Sequence, residues 1–439
     1  MTTALSGRRG RELLARASIR RARTEQDLER AAAVLKTSRA RDIREAHPEE
    51  RGAVRMLEVD GEVLAGLLFD PSPLELRGVP IRTARLVETD GENGRPCFRA
   101  TGDPELFDLL MEELLGYLWA RGYPLACAHG ELVLFVRHGF VPCFYHPRVS
   151  LPTGAGLALP SPYRVRHLKS DDIRRIPELR ACNREHKPLV FAAGVPPFHH
   201  FCVEAPDRSL RGFFSLEVSP DATWTPKVFV PELEVRDRDA THTILHRCAE
   251  EAARLDLEEI HLPLAPGHPV ARACVELGGA VSVRGAAHDP RLDEEMLCAV
   301  DPGRLLRALV PGLEASLAAS PAASLDGSAS LGDGRRAWEL RVAGGRVVVG
   351  DLPAAAPGSV RLPPWMVLQL LAGYRGADEL DTAIADETGR LLGALFPKTP
   401  PWSMCDLDHW DPGAPRRPAS RAAVRVMRAA HLPWAAPTG

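Results

Sequence analysis

The chain has 439 residues, which predicts two to four domains, because a single hydrophobic core rarely grows beyond about 250–300 residues. With 55 basic and 58 acidic residues the formal charge is -3, so there is no overall field to attract nucleic acid or an anionic membrane. The sequence has no apolar run of roughly 18 residues, no apolar segment typical of a secretory signal and no CxxC pair, so we expect a cytoplasmic protein with free thiols and no membrane span.

Breaks in composition divide the chain into successive parts. The stretch LPTGAGLALPSP is rich in proline and glycine and has no periodic apolar pattern, which predicts an inter-domain linker. The stretch AASPAASLDGSASLGDG is small and polar, and the last residues are rich in arginine and proline. The predicted parts are a basic N-terminal tail (1–17), a first domain (18–150), the linker (151–162), a second domain (163–300), a third domain (301–411) and a disordered basic tail (412–439).

The first domain is predicted to follow the order β-α-β-β-β-α-β-α-β. Thr24 as N-cap and Asp27 three residues later begin the first helix, because the two side chains can satisfy free backbone N–H groups reciprocally. Asp60-Gly61 between apolar runs predicts a two-residue hairpin turn. Asp103 followed by Pro104 begins a long helix. This order of elements predicts an α+β domain.

The stretch HGELVLFVRHGFVPC, at 129–143, has apolar residues at both helical and strand spacing. Two interpretations stay open. In the first, a one-turn helix passes through Gly139 into a closing strand, and Phe135 is an ordinary core aromatic. In the second, the stretch forms the wall of a cofactor slot, and Phe135 faces the ligand.

The second domain repeats the order of elements of the first. Its HPVARACVELGGAVSV again reads as a short helix, a glycine and a closing strand, which predicts a tandem duplication and an architectural role for this joint. The loop before its long helix, at 236–241, carries two carboxylates and no glycine. Carboxylates at a helix N-terminus repel phosphate, so we expect no cofactor in the second domain.

The residues Arg137-His138-Gly139-Phe140 resemble the end of the core motif of the GNAT family of acyl-CoA-dependent N-acetyltransferases. Two such copies followed by a smaller α+β domain resemble the enhanced-intracellular-survival type of that family, whose third domain is similar to sterol carrier proteins. In the third domain the likeness rests on G-Y-R-x-A-x-E-L, then L-F-P and D-x-W. The resemblance implies two tandem GNAT-fold mixed-sheet domains and a sterol-carrier-protein-like α+β domain.

The resemblance also implies a place for the thioester of acetyl-CoA. In the GNAT fold the strand before the long helix parts from its neighbour, and its backbone N–H groups hold the acyl carbonyl, while the helix N-terminus faces the pyrophosphate. The loop before that helix keeps the arginine and the first glycine of the family pattern. The residues expected to bind acetyl-CoA are Leu86, Val87, Glu88, Arg95, Arg99, Thr101, Gly102 and Phe135. The alternative is a plain helix start capped by Asp103.

Acyl transfer requires a neutral amine and a proton for the leaving thiolate. Glu88 is the candidate base, acting through water, and its alternative is a solvated carboxylate at a strand end. In the resembled enzymes a tyrosine of the short helix is the acid and the terminal carboxylate helps as base. Phe135 stands at the tyrosine's place, and 29 residues follow Trp410. Tyr145 is the candidate acid, with Tyr117 and His138 as alternatives.

The resemblance thus implies an acyl-CoA-dependent N-acyltransferase whose first domain holds the thioester. Its partners would be acetyl-CoA as co-substrate, a small-molecule or protein amine as acceptor, and further copies of the chain in a homo-oligomer. The alternative is a non-catalytic tandem GNAT scaffold or an acyl-CoA- or lipid-binding protein. His199-His200 and the group Asp406, Asp408 and His409 lack a zinc-like spacing, so no metal is expected.

Overall fold

The computed structural model describes residues 16–22, 24–35, 54–71, 73–86, 104–176, 178–179, 199–219, 227–284, 293–354, 356, 359–380 and 386–399. These residues form two compact units. The first unit comprises the described parts of 1–143 and 287–399, and the second unit comprises those of 144–286. Apart from residues 16 and 17, the predicted tails lie outside the described residues.

The described chain contains both strands and helices throughout its length. The strands are β1 (Ala17–Arg21), β2 (Val54–Val59), β3 (Glu62–Asp70), β4 (Pro73–Leu76), β5 (Val79–Leu86), β6 (Leu125–Glu131), β7 (Val141–Pro142), β8 (His146–Pro152), β9 (Arg164–His167), β10 (His199–Glu204), β11 (Leu210–Ser219), β12 (Lys227–Val235), β13 (Glu259–Leu262), β14 (Ala280–Arg284), β15 (Asp293–Ala299), β16 (Gly327–Gly332), β17 (Ala337–Ala343), β18 (Arg346–Leu352) and β19 (Val360–Arg361). The helices are α1 (Glu25–Leu35), α2 (Pro104–Ala120), α3 (Leu132–Phe135), α4 (Thr153–Leu157), α5 (Ser170–Ile173), α6 (Arg238–Arg254), α7 (Pro269–Glu276), α8 (Pro302–Ala308), α9 (Val310–Ala319), α10 (Pro364–Ala372) and α11 (Asp386–Leu395), with 3-10 turns at Val136–His138 and Ala377–Glu379. No helix in these described ranges is long and apolar enough to cross a membrane.

The first unit is built on a sheet with the strand order β1-β2-β3-β5-β6-β15-β7, and β4 pairs with β5. Neighbouring strands are antiparallel except β5 and β6, which are parallel and joined by way of α2. Strand β15, which follows the second unit in the chain, lies between β6 and β7. The sheet is therefore completed by a strand that is distant in sequence.

Local signals in the first unit form as predicted. The amide of Asp27 donates to Thr24 Oγ1 at 3.1 Å, and the amide of Thr24 donates to Asp27 Oδ2 at 3.0 Å, so the predicted reciprocal cap of α1 is confirmed. Asp60 and Gly61 have φ of 52° and 83°, as a tight hairpin turn between β2 and β3 requires. These backbone positions depend only on neighbouring residues, which is why the sequence predicts them.

The second unit has a sheet with the order β14-β8-β13-β12-β11-β10-β9. Its parallel pair, β12 and β13, is joined by way of the long helix α6, as β5 and β6 are joined by way of α2 in the first unit. The two units therefore repeat one mixed α+β arrangement, and the predicted tandem fold class is confirmed.

The stretch 151–162 is a packed element, and its prediction as a linker is wrong. It contains the end of β8 and helix α4, in which Thr153 Oγ1 donates to the carbonyl of Leu257 at 2.7 Å. A Cβ on Gly156 would lie 2.6 Å from Ala249 of α6, so glycine allows a close helix contact. Small residues pack in this way without giving the apolar period from which a helix is predicted.

The predicted domain boundaries are corrected for a related reason. Strand β8, assigned to the first domain, pairs with β13 and β14 in the second unit. Strand β15, assigned to the second domain, pairs with β6 and β7 in the first. An apolar pattern identifies a strand but not its partner in the sheet. The small, polar stretch AASPAASLDGSASLGDG, at 318–334, was predicted as a break between parts of the chain, and it likewise contains a strand, β16.

The third part of the chain belongs to the first unit. It has a four-stranded sheet of order β18-β17-β16-β19 together with α8 to α11, and Gly344 and Gly345 form the predicted hairpin turn with positive φ. At the turn between β4 and β5, the guanidinium of Arg77 donates to the carbonyls of Leu370, Leu371 and Pro397 at 2.8, 3.0 and 3.2 Å. Arg77 therefore binds the carbonyl end of α10 to the first sheet.

Candidate functional site

Strands β5 and β6 are paired in parallel near the last described residues of β5. Their paired residues are Thr83 with Leu125, Ala84 with Ala126 and Arg85 with Cys127. Beyond Cys127, strand β6 continues to Glu131, and the described residues pair it there only with β15. The residues that follow Leu86 in the chain lie outside the described residues.

Two of the predicted binding residues, Leu86 and Phe135, lie in the same buried apolar cluster. Phe135 is only 1% exposed. Its ring meets those of Phe107 and Phe140 edge to face, with centroids 5.5 and 5.3 Å apart. This environment favours the interpretation of Phe135 as a core aromatic over that of a slot wall.

Gly139 ends the short helical stretch in a left-handed conformation. Its φ is 83°, and its amide donates to the carbonyl of Val136 at 3.1 Å. Gly278 occupies the equivalent joint of the second unit with φ of 85°. A side chain strains this conformation, so glycine is required in both copies. The architectural role of the joint stays a prediction, and the shared conformation of the two glycines supports it.

Most of the other predicted site residues lie outside the described residues. These are Val87, Glu88, Arg95, Arg99, Thr101 and Gly102. Tyr145 is described and half-buried, and it lies in the second unit immediately before β8. Leu86 and Phe135 are therefore the predicted site residues that the described structure brings together.

His138, an alternative acid, is held in an ion-pair cluster beside α2. Its Nε2 lies 2.8 Å from Asp108 Oδ1, and Arg137 Nε lies 2.9 Å from the same oxygen. Burial lowers the pKa of His138, although Asp108 acts in the opposite direction. The imidazole therefore has a structural partner, and its ring packs edge to face on Phe107.

Tyr117, the other alternative acid, lies under two guanidinium groups. Arg55 stacks over its ring at 4.0 Å from the centroid, and Arg21 lies at 4.9 Å. Arg55 is 1% exposed and pairs with Glu113 Oε1 at 3.2 Å. The ring face of Tyr117 thus contributes to holding a buried cation.

A set of titratable residues lies on the face of the sheet that points away from α2. Phe69 and Leu86 are paired and face α2, where the Phe69 ring contacts Tyr117. The next pair, Asp70 and Arg85, therefore faces the opposite side. His129 of β6 shares that opposite side, because it lies two residues beyond Cys127, the partner of Arg85.

His129 has Glu295 of β15 as its cross-strand neighbour. Neither residue is among the predicted site residues. His129 opens an ambiguous apolar stretch, and Glu295 lies more than a hundred residues later, in a strand assigned to the other domain. Side chains alternate between the two faces of a strand, so the position of His129 two residues after Cys127 could have placed it on this face. Its pairing with Glu295 is known only from the structure.

The long helix α6 of the second unit is capped at its N-terminus by the side chain of Asp237. Asp237 Oδ1 accepts a hydrogen bond from the amide of Ala240 at 2.8 Å, and Arg211 Nη1 lies 3.9 Å from Asp237 Oδ2. The carboxylate thus occupies the position at which a helix N-terminus would otherwise receive a phosphate.

The described cysteines are buried, and His200 has a side-chain partner. The described cysteines, Cys127, Cys143, Cys202, Cys248, Cys274 and Cys298, are buried thiols. His200 Nδ1 lies 2.9 Å from Ser215 Oγ. In the described ranges, no three side chains of His, Cys, Asp or Glu are grouped closely enough to hold a metal ion.

Comparison with known proteins identifies the fold. No protein-family model and no curated protein sequence matches the chain. A GCN5-related N-acetyltransferase from Anabaena variabilis has a TM-score of 0.63 at 12% identity, covering 89% of this chain and 99% of that one. One from Kribbella flavida has a TM-score of 0.60 at 18% identity, with coverage of 89% and 99%. Eis1 from Mycobacterium abscessus has a TM-score of 0.52 at 18% identity, with coverage of 89% and 100%. At such identities the likeness concerns the fold, which is that of the GCN5-related N-acetyltransferases over most of the chain.

Proposed function

We propose that the protein is an acyl-CoA-dependent N-acyltransferase that moves an acetyl group from acetyl-CoA to an amine. The observation that carries this proposal is the parallel pair of β5 and β6, joined by way of the long helix α2, in a fold like that of the GCN5-related N-acetyltransferases. In that fold the strand before the long helix parts from its neighbour, and backbone groups there can bind the thioester carbonyl and stabilise the oxyanion that forms when the amine attacks. The GCN5-related fold of the chain supports the proposal.

In this proposal the first domain holds the cofactor. The backbone of Leu86, Val87 and Glu88 would receive the acyl group, and the side chains of Arg95 and Arg99 would neutralise the pyrophosphate near the start of α2. Thr101 and Gly102 would let the loop approach the phosphates closely. Glu88 would act as a base through water, and Tyr145 would protonate the thiolate.

Isothermal titration calorimetry with acetyl-CoA tests the cofactor site. We expect Arg99→Glu to weaken binding by roughly 1–3 kcal/mol, the scale of a charge-assisted contact. Arg238→Glu is the matched control, because Arg238 is exposed at the start of α6, where Asp237 already caps the helix. A loss of binding in Arg238→Glu with none in Arg99→Glu would place the cofactor in the second unit.

The second candidate function is a non-catalytic GNAT scaffold or an acyl-CoA- or lipid-binding protein. It is favoured by Phe135, which is buried among aromatic rings and has no proton to donate where the resembled enzymes carry tyrosine. Thiol release from acetyl-CoA in the presence of amines separates the two candidates. A protein that binds acetyl-CoA and releases no thiol is a binding protein.

Three finer features belong to the same proposal. The third part of the chain, with its four-stranded sheet and α8 to α11, would be a sterol-carrier-protein-like domain. The acceptor would be a small-molecule or protein amine. The protein would act in the cytoplasm as a homo-oligomer, which sedimentation of the purified protein would test.

A further inference from the structure

We propose that the second unit binds a small aromatic carboxylate in a cavity between strand β9 and helix α6. The cavity has a volume of about 390 Å³, which lies within the range of small-molecule sites. The described residues that line it all belong to the second unit. This site goes beyond the proposed acyltransferase function and does not depend on it.

The sheet side of the cavity carries a stack of aromatic rings. His167 of β9 and Phe201 of β10 are directly paired, and their ring centroids are 4.8 Å apart. Phe201 in turn stacks on the buried Phe214 of β11, with centroids 5.2 Å apart and 22° between the ring planes. The buried ring holds Phe201 in place, while Phe201 and His167 line the cavity. Rings at such separations attract one another, so this side of the cavity suits an aromatic ligand.

The start of β9 joins this aromatic side to helix α6. Tyr163 and Val165 alternate with His167 along the chain, line the cavity and pack against the core of the second unit. The amide of Tyr163 donates to Thr243 Oγ1 of α6 at 3.4 Å. Arg247 lies four residues after Thr243, and therefore on the same face of the helix. The helix thus presents a guanidinium to a cavity whose opposite side is aromatic.

The guanidinium of Arg247 is held by a buried carboxylate. Arg247 Nη2 pairs with Glu251, whose side chain is 6% exposed. Arg254 Nη1 pairs with the second oxygen of the same carboxylate at 3.1 Å. Two cations therefore share one buried carboxylate, and the set has one positive charge in excess. A fixed guanidinium with an excess of positive charge is suited to a further carboxylate.

Glu250 balances that excess charge from an exposed position. Its Oε2 accepts a hydrogen bond from Arg247 Nη1 at 2.9 Å, and its Oε1 lies 3.6 Å from His246 Nε2. The side chain of Glu250 is 44% exposed. An ion pair so open to solvent contributes little to stability, so another carboxylate can replace it at low cost. A ligand carboxylate would bind Arg247 while Glu250 turns towards water.

The same charges favour an acid over an amine as the ligand. An ammonium group beside Glu250 would add a third positive charge to those of Arg247 and Arg254. A carboxylate that replaces Glu250 leaves the number of ion pairs unchanged. The cavity therefore combines a side that attracts an aromatic ring with a side that pairs with a carboxylate, and a small molecule carrying both groups satisfies it.

The test uses the full-length protein with 3-phenylpropionate as the probe, and saturation-transfer NMR gives its Kd. We expect saturable binding, and 3-phenylpropionamide, which has the same ring and no charge, should bind at least about tenfold more weakly. Arg247→Gln should weaken binding of the acid by about tenfold or more, because charge-assisted hydrogen bonds are lost. Glu250→Gln should strengthen it by about threefold, because a carboxylate that competes for Arg247 is removed. Arg272→Gln, on the exposed side of α7, is the matched control and should leave the Kd unchanged.

Replacing the outermost ring of the stack tests the aromatic side. His167 is exposed, and His167→Ala should weaken binding of 3-phenylpropionate by about two- to tenfold, the scale of one ring contact. Circular dichroism checks the folding of each variant, above all Arg247→Gln, which leaves the buried Glu251 with one partner fewer. If Arg247→Gln is unfolded, Glu250→Gln and His167→Ala decide, since both side chains are exposed.

Four results would overturn the proposal. The first is the absence of saturable binding up to about 10 mM 3-phenylpropionate. The second is equal binding of the acid and its amide. The third is a Kd that neither Glu250→Gln nor His167→Ala changes. The fourth is binding of 2-phenylethylamine that Glu250→Gln abolishes, which would assign the cavity to organic cations.

Discussion

Replacing Phe135 by tyrosine adds one hydroxyl group to the buried ring cluster of the first unit. Phe135 is 1% exposed and lies between the rings of Phe107 and Phe140, at 5.5 and 5.3 Å. A hydroxyl buried there without a hydrogen-bond partner costs about 1–3 kcal/mol. At roughly 2–4 °C per kcal/mol, the melting temperature should fall by about 2–12 °C.

Phe201→Tyr is the matched control, because Phe201 is half-buried in the second unit and the same hydroxyl can reach solvent there. Thermal melting followed by circular dichroism measures stability, and thiol release from acetyl-CoA measures turnover. We expect Phe135→Tyr to melt below the control and to gain no turnover. An unchanged melting temperature with a turnover gain of up to about 10²-fold would refute the argument, because the hydroxyl would then be acting as an acid in an open slot.

Three further predictions concern stability. Gly139→Val should cost about 2 kcal/mol or more, since φ is 83° there, and denaturant unfolding in which Gly139→Val matches the unaltered protein would contradict this. Arg77→Ala should cost roughly 3 kcal/mol or more, because the carbonyls bound by the guanidinium lose their donor, and Arg77→Lys should recover only part of this in the same assay. Burial lowers the pKa of His138, so below about pH 6.5 the unfolded chain binds more protons than the folded one and the free energy of unfolding should fall as the pH drops. In His138→Gln this fall should be shallower. An identical pH dependence in the variant and the unaltered protein would contradict the assignment of the effect to His138.

Features determined by neighbouring residues were predictable from the sequence. Thr24 and Asp27 cap α1 reciprocally, Asp60 and Gly61 form the hairpin turn, and Gly139 takes the left-handed conformation that its place between helix and strand suggested. Each depends on steric limits or hydrogen bonds within a few residues. The order of elements in the two copies, and with it the fold class, follows from the sum of such local signals.

Features determined by distant partners were not predictable. The helix at 153–157 packs through Gly156 against Ala249. Its sequence has no helical period of apolar residues from which a helix could be predicted. Glu295 lies opposite His129 only because β15 inserts between β6 and β7. The sequence of a strand does not show which strand it pairs with, so the pairing of β6 with β15 could not be found from spacing alone.

The chain passes from the first unit to the second between β7 and β8, and it returns to the first unit between β14 and β15. The second unit is therefore an insertion in the sequence of the first. In the first unit β7 and β15 are antiparallel neighbours, with Pro142 opposite Met296, as in a hairpin whose loop has been opened. In the second unit the entering and leaving strands are also neighbours, with His146 opposite Arg284. Chains whose ends lie side by side tolerate excision and insertion, so 144–286 should fold as an independent polypeptide. A short turn joining Cys143 to residue 293 should likewise close the sheet of the first unit. Such a protein would consist of the first unit alone, so the roles assigned to that unit could be measured without the second.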